Sequence, residues 1–404
     1  MTRPKLSICI PTYNRASLLR SLLLQLVQDL DRLPFATEVV VADNASEDET
    51  QSVLEEFAPL LPLRHMRHET NIGAVANVQH VTRMAEGDYA LYLADDDRLV
   101  PSGVVAAIDL LEEHPQAAAL YAPWSMVDLH DRRDLGQFYQ QPDTVVIARG
   151  DYSHLAEHVA AHAIFSEISI LRTDVVRRIR PLMNDLAFWG FAFPCEYIAV
   201  GDLIYAHRPF YASITRHDAG APREQVGNTE VLSGWDRYRG GLEHMLGLAL
   251  AHGGMRAPDR VRQQMETMVV DRQLVALRLR LIAGRDPLES YYLATRLRGL
   301  GRVSDLPLPL DQIRLAAAVR YVTSELPQMT GADRLVVLGE CPAETLANLV
   351  RGADRPVEQI ADESDLKPSD ALLVLGEASE HRLASLETRC AAAMSEAELF
   401  RKFP

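Results

Sequence analysis

The sequence predicts an α/β protein: a mostly parallel, Rossmann-like sheet with its helices, then a helical region, then a small second α/β module. Three observations predict it. Apolar runs alternate with amphipathic segments from the N-terminus onward, those runs end in polar residues, and strand character fades after about residue 225 before returning near residue 334.

Taken in order, LSICI (6–10) reads as a strand stopped by Pro11, which cannot donate to a ladder. RASLLRSLLLQLVQDL (15–30) has the leucine spacing of a helix, and TEVVVAD (37–43) is a strand whose apolar run VVVA ends on a carboxylate. EDETQSVLEEFAPL (47–60), LRHMRHE (63–69), NIGAVANVQHVTRMA (71–85), YALYLA (89–94), PSGVVAAIDLLEEH (101–114) and AAALYAPWS (117–125) then alternate helix and strand. This rhythm is that of βαβ units, whose ligands collect beyond the carboxyl ends of the strands. VLSGWDRYRGGLEHMLGLALAH (231–252), RVRQQMETMVVDRQLVALRLRLIAG (260–284) and PLESYYLATRLRGL (287–300) are helical, broken by Gly and Pro. RLVVLG (334–339), PAETLANLVRG (342–352), PVEQIA (356–361) and ALLVLGEASEHRLASLETR (371–389) return to strand and helix, with Gly339 and Gly376 each closing an apolar run. The expected parts are 1–227, divided near residue 100, then 228–328 and 329–404.

Composition narrows the function. A chain of 404 residues with 48% hydrophobic and 24% charged side chains has ample core for two or three domains. Its net charge of -15 argues against nucleic acid or an anionic membrane as partner. No apolar stretch is long enough to cross a bilayer, and MTRPKLSICIPTYN lacks the h-region of a signal peptide, so a cytoplasmic location is expected. Cys9, Cys195, Cys341 and Cys390 stand far apart, without the pairing of a zinc site or a disulfide frame. His154, His158 and His162 fall at i, i+4 spacing but have no acidic partner, and read as a polar helix face.

The strand ends carry the chemistry. IPTYNRASLL places Pro11, Thr12, Tyr13, Asn14 and Arg15 just before a helix, and VVVADNASEDET ends on Asp43 and Asn44. Each has an ordinary structural reading as a cap or turn residue. YALYLADDDRLVPSG is harder to read that way, because Asp95, Asp96 and Asp97 are adjacent with Arg98 the only local countercharge. At about 5 Å and an effective dielectric of about 20, each like-charge pair costs roughly 3 kcal/mol. A helix cap explains one such carboxylate and leaves two.

Together these segments resemble the nucleotide-sugar-dependent glycosyltransferases of family 2, which have the GT-A fold. The matching stretches are SICIPTYNR, VVVADNASEDET, NIGAVANVQHVTRMAEGDYALYLADDDRLVPSG, MNDLAFWG and FYASITRH, over about residues 5–217. The resemblance makes residues 1–100 the nucleotide-sugar half and 101–227 the acceptor half. It implies that Thr12 and Tyr13, with Pro11, Asn14 and Arg15, line the base and ribose, and that Asp43, beside Asn44, accepts the N–H of a uracil-type ring. Asn71, Gly73 and Asn77 fall in the loop and helix on the diphosphate side, with Arg67 either a phosphate contact or a solvated charge. It further implies Mg²⁺ or Mn²⁺ at the aspartates: Asp96 as ligand, Asp95 or Asp97 beside it, and His217 as third ligand or phosphate contact, next to Arg216. The family's Asp-x-Asp-Asp spelling has an Asp where this chain has Ala94, so which pair chelates stays open.

In the acceptor half the family's Glu-Asp pair is here Asn184-Asp185. The resemblance makes Asp185 the general base of an inverting transfer, against a rival reading as a helix cap; Glu167 and Glu196 are the nearest alternative acids. Trp189 stands beneath an acceptor sugar or in the core. The implied partners are a nucleotide-sugar donor, a UDP-sugar, and a hydroxyl acceptor on a glycan, lipid-linked saccharide or small molecule, with a homo-oligomer through the helical or C-terminal region left open. Two rival readings stand beside it: a nucleotidyltransferase, which needs a Gly-rich loop that IPTYNRASLL lacks, and a non-catalytic sugar-binding protein of the same fold.

Overall fold

The computed structural model describes residues 3–181, 186–217, 231–376 and 378–404. The chain divides into two compact units, Met1–Glu230 with Gly234–Val269, and Val231–Ser233 with Val270–Pro404.

The strands of the first unit are β1 (Leu6–Thr12), β2 (Thr37–Asp43), β3 (Leu63–Arg67), β4 (Tyr89–Tyr92), β5 (Arg98–Leu99), β6 (Ala117–Tyr121), β7 (Ser125–Asp128), β8 (Arg133–Gln137), β9 (Val145–Ile147), β10 (Ser169–Arg172), β11 (Asp202–Tyr205) and β12 (Tyr211–Arg216). Its helices are α1 (Ala16–Asp29), α2 (Thr50–Phe57), α3 (Ala74–Arg83), α4 (Pro101–Glu113), α5 (Tyr152–His162), α6 (Thr173–Arg178), α7 (Trp189–Ile198) and α8 (Trp235–His252).

The main sheet has the order β3-β2-β1-β4-β10-β6-β11-β9. β1, β2, β3 and β4 run parallel, as do β6 and β11, while β10 enters antiparallel between β4 and β6. The parallel strands are apolar at nearly every position because helices cover both faces: Val39, Val40 and Val41 of β2 and Ala117 and Ala119 of β6 are wholly buried. A second sheet, β5-β12-β7-β8, forms beside it.

Register fixes the site. Thr12 stands opposite Asp43 and Cys9 opposite Tyr92, so β1, β2 and β4 end at one edge. The Leu93 N–H donates to Cys9 O at 3.0 Å, carrying the β4 chain onward to the aspartates beside Thr12. Just after them β5 pairs with β12, which ties the aspartate turn to the second sheet. That closeness demands Gly103 in the first turn of α4: a Cβ there would lie 1.9 Å from the Pro209 carbonyl oxygen, at the entry to β12.

In the second unit α9 (Pro258–Ile282), divided between the units, leads to α10 (Pro287–Gly299), α11 (Leu310–Arg320) and α12 (Leu326–Thr330). β13 (Arg334–Leu338), β14 (Val357–Ile360), β15 (Asp370–Val374) and β16 (Ala392–Ser395) form an all-parallel sheet in the order β14-β13-β15-β16. Gly339 and Gly376, which close β13 and β15, have φ of 117° and 79°, a region that glycine enters without a Cβ clash.

The three parts expected from the sequence therefore meet a division into two. α8 packs on α5 and α7 in the first unit. In the second, the Tyr291 hydroxyl of α10 donates to the Pro404 carbonyl at 2.8 Å and the Phe403 ring lies 5.3 Å from that of Tyr291. Those contacts join the helices to the C-terminal module as one body. Among the described residues no helix is long and apolar enough to cross a membrane.

Candidate active site

The edge where β1 and β4 end gathers the charges. The Thr12 hydroxyl donates to Asp95 Oδ2 at 2.8 Å, and one nitrogen of Arg15, Nη1, donates to Asp95 Oδ1 at 3.0 Å and to Asp96 Oδ2 at 2.8 Å. The side chains of Asp95 and Asp96 are 6% and 1% exposed. Arg15 thus brings countercharge to Asp95 and Asp96, delivered across 80 residues of sequence by the β1–β4 pairing. Burial, with the charge of Asp96 added, pushes the Asp95 carboxyl up to about 6 against the opposing pull of Arg15 and Thr12.

Asp97 faces elsewhere. Its Oδ2 accepts from the Tyr211 hydroxyl at 2.6 Å and its Oδ1 from the Ile214 N–H at 2.7 Å, so it anchors the aspartate turn to β12. Asp96, Asp97 and His217 do not come together as the three-ligand set expected from the sequence: among the described residues no three His, Cys, Asp or Glu side chains are grouped to hold a metal. Asp97 is bonded to β12, whereas Asp95 and Asp96 share Arg15 at the end of β1. Arg216 is engaged by Asp128 at 3.0 Å and Asp131 at 2.5 Å on the β7–β8 hairpin.

The β1–α1 loop is a rigid shelf. Asn14 has φ of 50°, its N–H donates to Ser46 Oγ at 2.8 Å, and its Oδ1 accepts the Glu47 N–H at 2.8 Å. The Ala16 N–H adds a bond to Asp48 at 2.9 Å. Asn14 therefore clamps two loops, and Tyr13 beside it is 42% exposed, its ring open to a flat ligand. Pro11 is half-buried at the strand end.

Asp43 is fully buried and accepts from the Ser46 N–H at 3.0 Å and from Gln51 Nε2 at 2.5 Å, with Arg67 Nε at 3.6 Å. Arg67 also donates to Ser46 O at 2.7 Å. Asn44 and Asn71 pair at 2.9 Å, Asn71 Oδ1 also accepts the Gly73 N–H, and the Ile72 N–H donates to Asn44. Gly73, with φ of 87°, turns this loop into α3. Asn77 points inward, donating to Ala42 O at 2.9 Å, where it completes the edge of β2.

A narrow pocket reaches Tyr92 at the end of β4, and its lining includes Gln79, Tyr121, Glu167, Trp189 and Tyr197. Trp189 is half-buried, with its ring 5.9 Å from that of Tyr92, so it serves both pocket wall and packing. Tyr92 is held protonated by burial, reinforced by the charges of Asp97 and Glu167. Of the alternative acids, Glu167 lines the pocket, whereas Glu196 is tied to Arg180 at 2.6 Å. Asp185 and Asn184 lie outside the described residues. Of the three histidines on α5, His154 is exposed and His162 half-buried, while His158 is buried between His162 and Tyr205, at ring distances of 4.9 Å from each.

Sequence reasoning missed Tyr211 and Gln51 as partners of Asp97 and Asp43. No local signal marks either; each meets its aspartate only through the pairing of distant strands or the docking of α2.

Comparison with known proteins supplies the remaining findings. The profile of "Glycosyl transferase family 2" matches residues 7–165. An uncharacterized glycosyltransferase of Haemophilus influenzae is 31% identical over 29% of this chain and 38% of its own length. Poly(ribitol-phosphate) beta-N-acetylglucosaminyltransferase TarS of Staphylococcus aureus is 33% identical over 27% of this chain and 19% of its own length. This chain thus spans well under two thirds of both relatives. Among solved structures, S. aureus TarS 1-349 in complex with UDP-GlcNAc is similar over 78% of this chain and 85% of that one, with TM-score 0.45 and 18% identity. The mannosyltransferase PcManGT of Pyrobaculum calidifontis, in complex with GDP-Man and Mn2+, is similar over 79% and 87%, with TM-score 0.43 and 16% identity.

Proposed function

We propose, from the match of residues 7–165 to the profile of glycosyl transferase family 2, that the chain is a glycosyltransferase that moves a sugar from a UDP-sugar to a hydroxyl of a glycan, lipid-linked saccharide or small-molecule acceptor, with inversion. The observation that carries the reading is the meeting of Thr12, Arg15, Asp95 and Asp96 at one strand edge, beside the open ring of Tyr13. A flat base stacks on Tyr13. Asp43 takes the imide N–H of the base once Gln51 yields its place, and Arg15 and the Gly73 loop meet the diphosphate.

Two adjacent buried carboxylates suit Mg²⁺ or Mn²⁺, which are held by one or two carboxylates with substrate phosphates and water. Asp95 and Asp96 are the ligands in this reading, and Asp97 is the anchor that sets their position. When bound there, the ion neutralises charge that develops on the leaving diphosphate.

Asp185 removes the acceptor proton as the hydroxyl attacks the anomeric carbon opposite the leaving nucleotide. Glu167 is the second candidate, because it lines the pocket beside Trp189. Replacing each by its amide separates them. The true base loses about 10²–10⁴-fold in transfer with nucleotide affinity intact, whereas a lost helix cap costs only about 1 kcal/mol of stability.

The test of the whole reading is a screen of nucleotide sugars for cation-dependent nucleotide release, followed by assignment of the product anomer. Release from UDP-sugars that stops in EDTA and in Asp96→Ala supports it. A chain that neither binds UDP nor turns over any nucleotide sugar would refute it, and the non-catalytic rival would take its place.

A further inference from the structure

Arg15 occupies an unusual position. A single guanidinium nitrogen bridges two neighbouring carboxylates that are almost wholly buried, while the arginine side chain itself is 18% exposed. The backbone beneath it is fixed, because Asn14 and Ala16 on either side donate their N–H groups to Ser46 and Asp48. The side chain, by contrast, is a flexible stem whose planar fork pairs with phosphate at least as well as with carboxylate. Two buried charged carboxylates left without a cation repel each other and are costly to desolvate, so a positive group between them is favoured.

We propose that Arg15 is the resident counter-cation of Asp95 and Asp96 and competes with a divalent ion for them, so that the ion binds tightly only together with a diphosphate that draws Arg15 away. The inference rests on the nucleotide-sugar reading and deepens it. Arg15 and a cation bound to the same two oxygens cannot both keep their places. A nucleoside diphosphate arriving at this edge brings oxygens that accept the guanidinium, and the released carboxylates then accept the ion. Arg15 thereby makes donor and cation binding mutually dependent, and such coupling is reciprocal. Arg15 acts on the cation through the carboxylates and on the donor through the diphosphate.

The experiment is a titration of the full chain with MnCl2, followed by electron paramagnetic resonance, with and without UDP. Wild type is expected to bind Mn²⁺ weakly alone and about 10-fold or more tightly with UDP. Arg15→Ala is expected to bind Mn²⁺ alone about 10-fold more tightly than wild type, with UDP adding little. Arg15→Lys, which keeps a charge but not the fork, falls between and serves if the alanine variant folds poorly. Melting temperature gives a second readout: Arg15→Ala should melt lower without Mn²⁺ and regain the loss when it is added, which a merely structural arginine would not do. Equal Mn²⁺ affinity in Arg15→Ala and wild type, with binding abolished by Asp96→Ala, overturns the competition and leaves the glycosyltransferase reading standing. Nucleotide release that persists in EDTA, with no Mn²⁺ bound to any variant, overturns the competition and the cation together. Absence of UDP binding and of turnover removes the reading on which both stand.

Discussion

Replacing Tyr211 with Phe tests whether Asp97 is an anchor or a ligand. The ring is 1% exposed and stays packed in the variant, so the change removes one hydroxyl and nothing else. That hydroxyl donates to Asp97 Oδ2 at 2.6 Å and accepts the Ala94 N–H at 3.3 Å. Burial and the neighbouring Asp97 charge hold its ionisation well above the ordinary tyrosine range, so it is a donor throughout the working pH range. A hydrogen bond to a charged group contributes about 1.5–3 kcal/mol, and the half-buried Ala94 N–H loses its acceptor as well. Asp97 keeps the Ile214 N–H, which limits the loss, and about 2 kcal/mol is expected. For a unit of this size that lowers the melting temperature by roughly 4–8 °C. Calorimetry gives the stability, and Mn²⁺ titration in the presence of UDP gives the ligand role. The anchor assignment predicts the melting loss with Mn²⁺ affinity within about 3-fold of wild type, a change below 1 kcal/mol. An unchanged melting temperature, or Mn²⁺ affinity lost in Asp97→Asn without loss of stability, would refute the reasoning and return Asp97 to the ligand set.

Gly103→Ala places a methyl 1.9 Å from the Pro209 carbonyl oxygen, and backbone cannot yield as a side chain can. A loss of about 1–3 kcal/mol is expected in chemical denaturation, and a neutral result would show that α4 and the β12 entry are not tightly packed. His158, pushed down to about 4 by burial and by His162 and His154, stays neutral in the fold while the unfolded chain takes up a proton near 6.5. Between those values the unfolded state holds more protons, so stability falls as pH drops from about 6.5 to about 4. His158→Phe should remove that part of the slope in melting curves against pH; an unaltered slope would place the proton uptake elsewhere. A chain ending at residue 328 should be poorly folded in its helical part, because Arg314 loses the Phe400 carbonyl at 2.8 Å and Tyr291 loses Pro404. Full helical content by circular dichroism in that truncation would show the helices to be independent after all.

The order of strands and helices through residue 125 was legible in the sequence because each buried strand there is a short continuous apolar run, bounded by Pro, Gly or a carboxylate. The edge that carries the site was legible for the same reason: polar residues that end apolar strands must emerge together once those strands pair in parallel. Tyr13, Arg15, Asp95 and Asp96 were therefore within reach of sequence reasoning. What each carboxylate does was not. Asp95, Asp96 and Asp97 are chemically identical neighbours, and only the tertiary structure assigns the first two to Arg15 and the third to Tyr211 and Ile214. The same holds for Asn14 and Asn77, whose amides turn to a neighbouring loop and to the β2 edge. Sequence sets the chemical inventory and the local conformation. Partner choice is settled by hydrogen-bond geometry between segments 33 to 117 residues apart, a distance over which local pattern carries no information.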